Sequence, residues 1–343
     1  MTQKQSSCSP TFVSVCDLSS LLEPVREDLD LVEQWLNSNL VDDSPFIAEL
    51  LGQVFQAGGK RIRPALVLLA ARATAAVPGS LTSLQTILAV LTELIHTASL
   101  VHDDVIDAAS LRRGQETVNR KWSDKLAVLI GDLLFAQASV CLAKLSNPPI
   151  VGIYGQVLGD LCAGEIRQMR QQFVLAVDWD SYIQKSIWKT ASLFAAGCES
   201  AAILNGCPGT AHAALKEYGL KLGICFQIVD DLLDFTGNSH TLGKSAGSDL
   251  AQGLITAPAL FVLQRQDAPA AALKKLLQTR AVMSPEGLTQ ALSIVSNGGG
   301  IEATVELAGQ YAAEAREALR PLTPSLYRDT LESLSDWLLT RTK

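Results

Sequence analysis

The sequence predicts an all-α protein. Alanine and leucine dominate it and β-branched runs are scarce. Apolar residues recur at helical spacing along nearly the whole chain. No stretch shows the strong alternation of a strand. With 343 residues, 48% hydrophobic and 18% charged, the chain is long enough to bury a large core and too apolar to stay disordered.

The elements follow in order. Residues 1–16 are Ser/Thr-rich, with no acid before Asp17, and read as a flexible N-terminus. Residues 17–343 then form one all-α domain. A helix over 24–38 starts on a proline with acids in its first turns. "AGGKRIRP" (57–64) breaks the pattern with two glycines and feeds a helix over about 64–76. A long apolar helix spans 84–108. Another spans 123–145 and is closed by Asn147-Pro148-Pro149. Further helices are expected at 150–172, 179–204 and 210–235. The glycine-rich polar stretch 236–253 reads as a loop. Ser284-Pro285 reads as an N-cap and first helical position, and "NGGG" (297–300) as a stop.

Composition narrows the function. A formal net charge of −7 argues against nucleic acid, and an anionic substrate would need local positive charge. Seven scattered cysteines without a C-x-x-C pair read as reduced thiols in a cytoplasm-like compartment, or a plastid if the source is a plant or alga. No secretory signal is visible, and no apolar run reads as long enough to span a bilayer.

The chemistry sits in two acidic clusters. "ASLVHDDVIDAASLRRG" (98–114) places Asp103, Asp104 and Asp107 at the end of an apolar helix, and "CFQIVDDLLDFTG" (225–237) repeats the spacing with Asp230, Asp231 and Asp234. Residues i and i+4 share a helix face, so Asp103 lies over Asp107 and Asp230 over Asp234. Each such like-charge pair costs about 0.2 to 0.5 kcal/mol in water and far more in an apolar setting. One cluster alone could be a solvated helix end. Two, over a hundred residues apart, are better explained if they face one another across a cavity holding cations. Carboxylate oxygens select hard ions, and the four histidines offer no zinc pattern, so Mg²⁺ fits best.

Basic residues complete the set. They are Lys60, Arg61 and Arg63 on the "GGKRIRP" loop, Arg112 and Arg113 after the first cluster, Lys189 with Thr190 in an apolar helix, and Lys244. A diphosphate wants such donors. For each one a surface role is the default, least for Lys189 and most for Arg61, which reads as facing water. His96 precedes Asp103 by two helical turns and shares its face; its bland alternative is a satisfied core histidine.

These pieces, with "GDLLFAQA", "GEIRQM", "KTASL" and "LGKSAGSDLAQGLITAP" in order, resemble the trans-isoprenyl diphosphate synthases, and most closely the solanesyl type of cyanobacteria and plastids. The resemblance implies the isoprenoid synthase fold, an antiparallel helical bundle around a deep central cavity. It implies a homodimer and about three Mg²⁺ ions in each site. It also implies head-to-tail transfer of the prenyl group of an allylic diphosphate (farnesyl or geranylgeranyl) to isopentenyl diphosphate, with release of diphosphate. By position, all six aspartates would hold metal. Arg112, Lys189 and Lys244 would hold the allylic diphosphate, and Lys60, Arg63, His96 and Arg113 isopentenyl diphosphate. Thr190 and Gln227 would lie beside the developing cation. Peripheral membrane contact is expected from the lipid product. Departures from the family pattern are Ser245 for proline, Leu254 for lysine, and Ala108 and Ala109 for polar residues.

Small Ala98 and Ser99 stand where short-chain relatives carry an aromatic floor. The floor would then lie deeper, from Leu91, Ile95 or Phe135, and the expected product is C40 to C50, solanesyl (C45) first, to serve a quinone side chain. Rival readings are a C20 synthase and a non-catalytic subunit of a heteromeric synthase. A terpene cyclase is disfavoured by the second D-D-x-x-D.

Overall fold

The computed structural model describes residues 17–39, 44–56, 58–77, 81–237 and 246–341. Its N-terminal helices are α1 (Leu18–Leu21), α2 (Arg26–Asn39), α3 (Pro45–Gln56) and α4 (Ile62–Ala73). The centre of the chain forms α5 (Ser83–Ile106), α6 (Val118–Lys121), α7 (Asp124–Leu145), α8 (Pro148–Gln171), α9 (Trp179–Ser186), α10 (Ser192–Leu204) and α11 (Gly209–Thr236). Six more follow: α12 (Ser248–Ala251), α13 (Ala257–Leu263), α14 (Ala268–Gln278), α15 (Pro285–Asn297), α16 (Gly300–Ala318) and α17 (Leu326–Thr340).

Most boundaries lie within a few residues of those expected, because caps set them. Thr82 and Gln85 form a capping box on α5. Ser123 caps α7, and Asn147 precedes the prolines that open α8. Ser284 caps α15 through the Gly287 N–H at 3.1 Å.

Three expectations need correction. The stretch 179–204 is not one α-helix. A π-helical segment, Ile187–Ala191, interrupts it. A two-residue antiparallel pair, β1 (Leu111–Arg112) with β2 (Gln115–Glu116), was too short to leave an alternating pattern. Two helices, α5 and α7, are long and apolar enough to cross a membrane by length and composition. Two thirds of the apolar window of α5 is buried inside the fold, against one third for α7.

The core is built around α4, α5, α10 and α11, which pack on one another. Nine of the twelve residues of α4 are buried, and α10 is buried on nearly every face. α7 lies along α5. α8 packs on α10 and on the π segment and touches α5. Thr92 Oγ1 and Tyr154 OH are 2.6 Å apart, and eleven residues on along both helices (92 to 103, 154 to 165) Asp103 and Glu165 both act on Lys189. α5 and α11 thus bring their acidic C-terminal ends to one end of the bundle.

Candidate active site

The first triad ends α5. Ala108 adopts a left-handed conformation (φ 48°), and the Ala109 N–H donates to the Asp104 carbonyl at 2.9 Å. This reverses the chain into the β1–β2 hairpin and returns Arg112 to the helix. Arg112 grips buried Asp104, Nε to both carboxylate oxygens at 2.8 and 2.9 Å and Nη2 at 2.7 Å. Asp103 and Asp107 accept no side-chain hydrogen bond from the described residues. Burial raises Asp103 to about 6, with Glu165 and Asp107 adding to the shift and Lys189 and Arg112 opposing it.

The second triad is held differently at each position. Asp230 pairs with Arg341 at 3.1 Å. Burial pushes its carboxyl upward while Arg341, Arg63 and Lys60 pull it down. Asp231 accepts from Tyr182 OH at 2.7 Å and Gln227 Nε2 at 2.8 Å; burial raises it to about 6. Asp234 accepts the backbone N–H groups of Ser248 and Asp249 at 3.2 Å. Burial, then the charge of Asp249, raise it to about 7.

Lys189 lies beside the first triad and Asp249, on the π segment. Such segments recur where a helix must aim a functional side chain. Gly164 on α8 leaves room for it, since a Cβ there would meet the Trp188 Cβ at 3.0 Å. Lys189 Nζ reaches Glu165 at 3.4 Å and Gln168 at 3.3 Å. Burial alone would lower its pKa, but Glu165, Asp103, Asp107 and Asp249 together hold it above its ordinary value. Thr190, next along, donates to Gln227 Oε1 at 2.6 Å. A chain of hydrogen bonds therefore links Thr190, Gln227, Asp231 and Tyr182.

A second group of cations gathers around His96, two turns before Asp103 on α5. Arg63 is buried over the rings of Phe194 (4.9 Å) and Phe226 (5.8 Å) and donates to His96 Nε2 at 2.9 Å. Burial lowers Arg63 to about 10. Burial, and then the charges of Arg63 and Arg113, drive His96 well below its ordinary value, so the ring is neutral. Lys60 lies 5.2 Å over the Trp337 ring, lowered by burial and by Arg341 and Arg113. A cleft is lined by Arg61, Glu93, His96, Asp104, Arg112 and Arg113 among others.

Arg61 does not face water. Its side chain is 13% exposed and bound to Glu33 and Glu93, because the left-handed backbone at Arg61 (φ 47°) turns the guanidinium inward. Ala98 is fully buried, and Ser99 donates to the His96 carbonyl at 2.8 Å. Leu91 and Ile95 are fully buried; Phe135 packs edge-on beside His102 (5.6 Å), near the level of Asp103. Leu254 is buried. Lys244 and Ser245 lie outside the described residues.

Sequence reasoning gave no role to Glu165, Glu93, Tyr182, Asp249 or Arg341. Glu165 and Asp249 stand inside motifs already singled out, "GEIRQM" and "LGKSAGSDL", beside residues that were assigned. Arg341 carries no such signal, since its contact with Asp230 crosses over a hundred residues of chain.

Among the described residues no three His, Cys, Asp or Glu side chains stand close enough to hold an ion together. The donor set still suits a hard divalent cation. Asp103 and Asp107 accept no side-chain hydrogen bond from the described residues, and burial holds carboxyls of both triads above their ordinary pKa, a cost that a bound cation would offset. Mg²⁺ needs only one or two protein carboxylates, with phosphate oxygens and water completing the shell.

Such a site defines a class: an all-α protein with carboxylates and fixed cations gathered for diphosphate-bearing ligands at one end of a helical bundle. The Polyprenyl synthetase family model matches residues 44–295, and the chain belongs to that family. It is 44% identical over 334 residues to solanesyl-diphosphate synthase 2, chloroplastic, of Oryza sativa subsp. japonica, covering 97% of this chain and 81% of that one. It is likewise 44% identical to a prenyl transferase of Synechocystis sp., covering 94% and 98%. The fold is similar to polyprenyl synthase from Caulobacter crescentus CB15 complexed with calcium and isoprenyl diphosphate: TM-score 0.89, 31% identity, covering 96% of this chain and all of that one.

Proposed function

We propose that the chain is a Mg²⁺-dependent trans-prenyltransferase that extends farnesyl or geranylgeranyl diphosphate with isopentenyl diphosphate to a long all-trans product, solanesyl diphosphate (C45), for quinone side chains. The observation that carries this is the division of the cations into two groups. Lys189 lies among Glu165, Asp103, Asp107 and Asp249, while His96, which Arg63 contacts at 2.9 Å, and Arg113 line a cleft with Arg112 and Asp104. One diphosphate belongs to each group. The similarity to solanesyl-diphosphate synthases supports the product class.

Asp103, Asp104, Asp107, Asp230, Asp231 and Asp234 would hold the ions, with Asp103 and Asp107 the most available in this arrangement. Bound there, divalent ions stabilise the negative charge that appears on the leaving diphosphate. Lys189, Arg112 and Lys244 hold that same diphosphate. Lys60, Arg63, His96 and Arg113 hold isopentenyl diphosphate. The allylic C–O bond breaks and its electron pair leaves with diphosphate. The isopentenyl double bond supplies the pair for the new C–C bond, and the released diphosphate takes the proton lost next to it. Fixed cations act most strongly on charge that develops in the transition state. Thr190 and Gln227, locked to each other, present oxygen dipoles beside the cation. The surrounding apolar helices exclude water that would quench it.

We place the protein in a reducing compartment, cytoplasm or plastid. Three plant relatives are named chloroplastic, and Cys141, Cys162, Cys198, Cys207 and Cys225 are free thiols. The chain acts as one domain from residue 17 onward and as a homodimer. The second copy covers the face of α7 that carries Val128, Leu129 and Val140, which are 41–61% exposed. Asp132 stands on the same helix, 62% exposed, which suits a protein partner better than hydrocarbon. Membrane contact, if present, is peripheral.

The test is incubation of the purified protein with farnesyl diphosphate, labelled isopentenyl diphosphate and Mg²⁺, with and without EDTA. A C45 product that EDTA abolishes is expected. A ladder ending at C20 would reassign it as a geranylgeranyl synthase, and an inert homomer would make it a subunit of a heteromeric enzyme.

A further inference from the structure

Arg61 is the one cation of the "GGKRIRP" loop to which the proposed function gives no role, yet the fold holds it tightly. Its backbone is left-handed (φ 47°), a conformation that a non-glycine residue keeps only where its surroundings over-determine it. Those surroundings are two acids from two helices. Nη1 donates to Glu93 on α5 at 2.6 Å, and Nε and Nη2 donate to Glu33 on α2, the latter at 3.3 Å. Burial would lower the guanidinium's pKa, but the two carboxylates more than reverse it.

The clasp lies directly against the cations assigned to isopentenyl diphosphate. A Cβ on Gly59 would stand 2.9 Å from Arg113 Nη1 and 3.5 Å from Arg61 Nη1. The turn before α4 therefore rests on both guanidinium groups, and any shift of the turn displaces Arg113. Glu93, 6% exposed, is also the acid whose charge most favours the protonated forms of Arg63 and Arg113. It thus keeps three guanidinium groups close together before any diphosphate arrives.

We infer that Arg61 is a positioning residue for the isopentenyl-side anion site, where its clasp on Glu33 and Glu93 sets the 58–61 turn and so fixes Lys60, Arg63 and Arg113 around one diphosphate. Arg61 does not itself contact that diphosphate, because its donors are occupied by the two acids. A planar guanidinium can bridge two carboxylates from different helices, and an ammonium cannot do so with the same geometry. This rests on the assignment of Lys60, Arg63, His96 and Arg113 made above.

The experiment uses the full chain and four proteins: wild type, Arg61→Gln, Arg61→Lys and Arg113→Gln. Steady-state kinetics give KM for isopentenyl and for farnesyl diphosphate, and titration calorimetry gives the affinity for inorganic diphosphate without metal. For Arg61→Gln, KM for isopentenyl diphosphate should rise and inorganic diphosphate binding weaken by about tenfold, with kcat and KM for farnesyl diphosphate within about twofold. Arg61→Lys should recover only part of the loss.

A wild-type KM in Arg61→Gln beside a raised KM in Arg113→Gln would overturn the inference alone. A parallel loss in kcat and both KM values would reduce Arg61 to a general structural role and overturn it too. If Arg113→Gln also binds normally, the site assignment falls and takes the inference with it. Should Arg61→Gln fail to fold, Glu33→Gln removes half the clasp. The same KM split, smaller in size, is then required, and its absence overturns the idea.

Discussion

At the scale of single residues, the acidic side chains are balanced between protein and ligand. Asp103 and Asp231 are raised to about 6 and Asp234 to about 7, from an ordinary 3.8. A carboxyl with a higher pKa in the fold than in the unfolded chain binds its proton more tightly when folded. Its contribution to stability is complete below about pH 4 and is lost as pH rises through about 6 to 7. The ion-free protein should therefore lose thermal stability between about pH 5 and pH 8, and Asp103→Asn should flatten that slope in a thermal melt. Divalent binding runs the other way, since the ion needs the ionised carboxylate. Calorimetric affinity for Mg²⁺ should fall as pH drops below about 6. A pH-independent affinity would mean that these carboxyls are not the ligands. At the same scale, Ala98→Phe should shorten the product, because Ala98 is fully buried one turn before Asp103. An unchanged product ladder would remove Ala98 from the chain-length determinants.

At the scale of elements, the π segment and its neighbour decide where Lys189 goes. A continuous α-helix over 179–204 would rotate Lys189 away from Glu165, since one residue is 100° of helix. The contact depends on the approach of α8 at Gly164. Gly164→Val places atoms against the Trp188 Cβ and should destabilise the fold by about 1 to 3 kcal/mol. It should also lower kcat/KM for the allylic substrate more than for isopentenyl diphosphate. Equal losses for both substrates would show that the two anion sites are not separable in this way. Thr92 on α5 and Tyr154 on α8 meet about 16 Å below Asp103, at 1.5 Å per residue.

At the scale of the whole molecule, α7 is the element the monomer leaves incomplete. It packs along α5, and only a third of its apolar window is buried. Leu129→Glu should turn a dimer into a monomer in light scattering while leaving the helical circular dichroism unchanged. If the wild-type protein is already a monomer that floats with lipid vesicles, the partner of this face is a membrane instead.

The sequence by itself determined the helical class, most helix boundaries, the two aspartate triads and their basic companions. Capping residues, prolines and acid clusters are local signals that read without a fold. His96 is an example: its spacing of seven from Asp103 predicted a shared face, and the structure sets it against Arg63. Only the tertiary structure decided which carboxylates remain open and which are already engaged. Asp104 is gripped by Arg112, eight residues on, but Asp230 meets Arg341 from the far end of the chain, and Arg61 meets acids on two other helices. The π segment at Lys189 and the inward turn of Arg61 were likewise out of reach. Charge pairing and burial depend on which helices come together, and no local pattern along the chain encodes that distance.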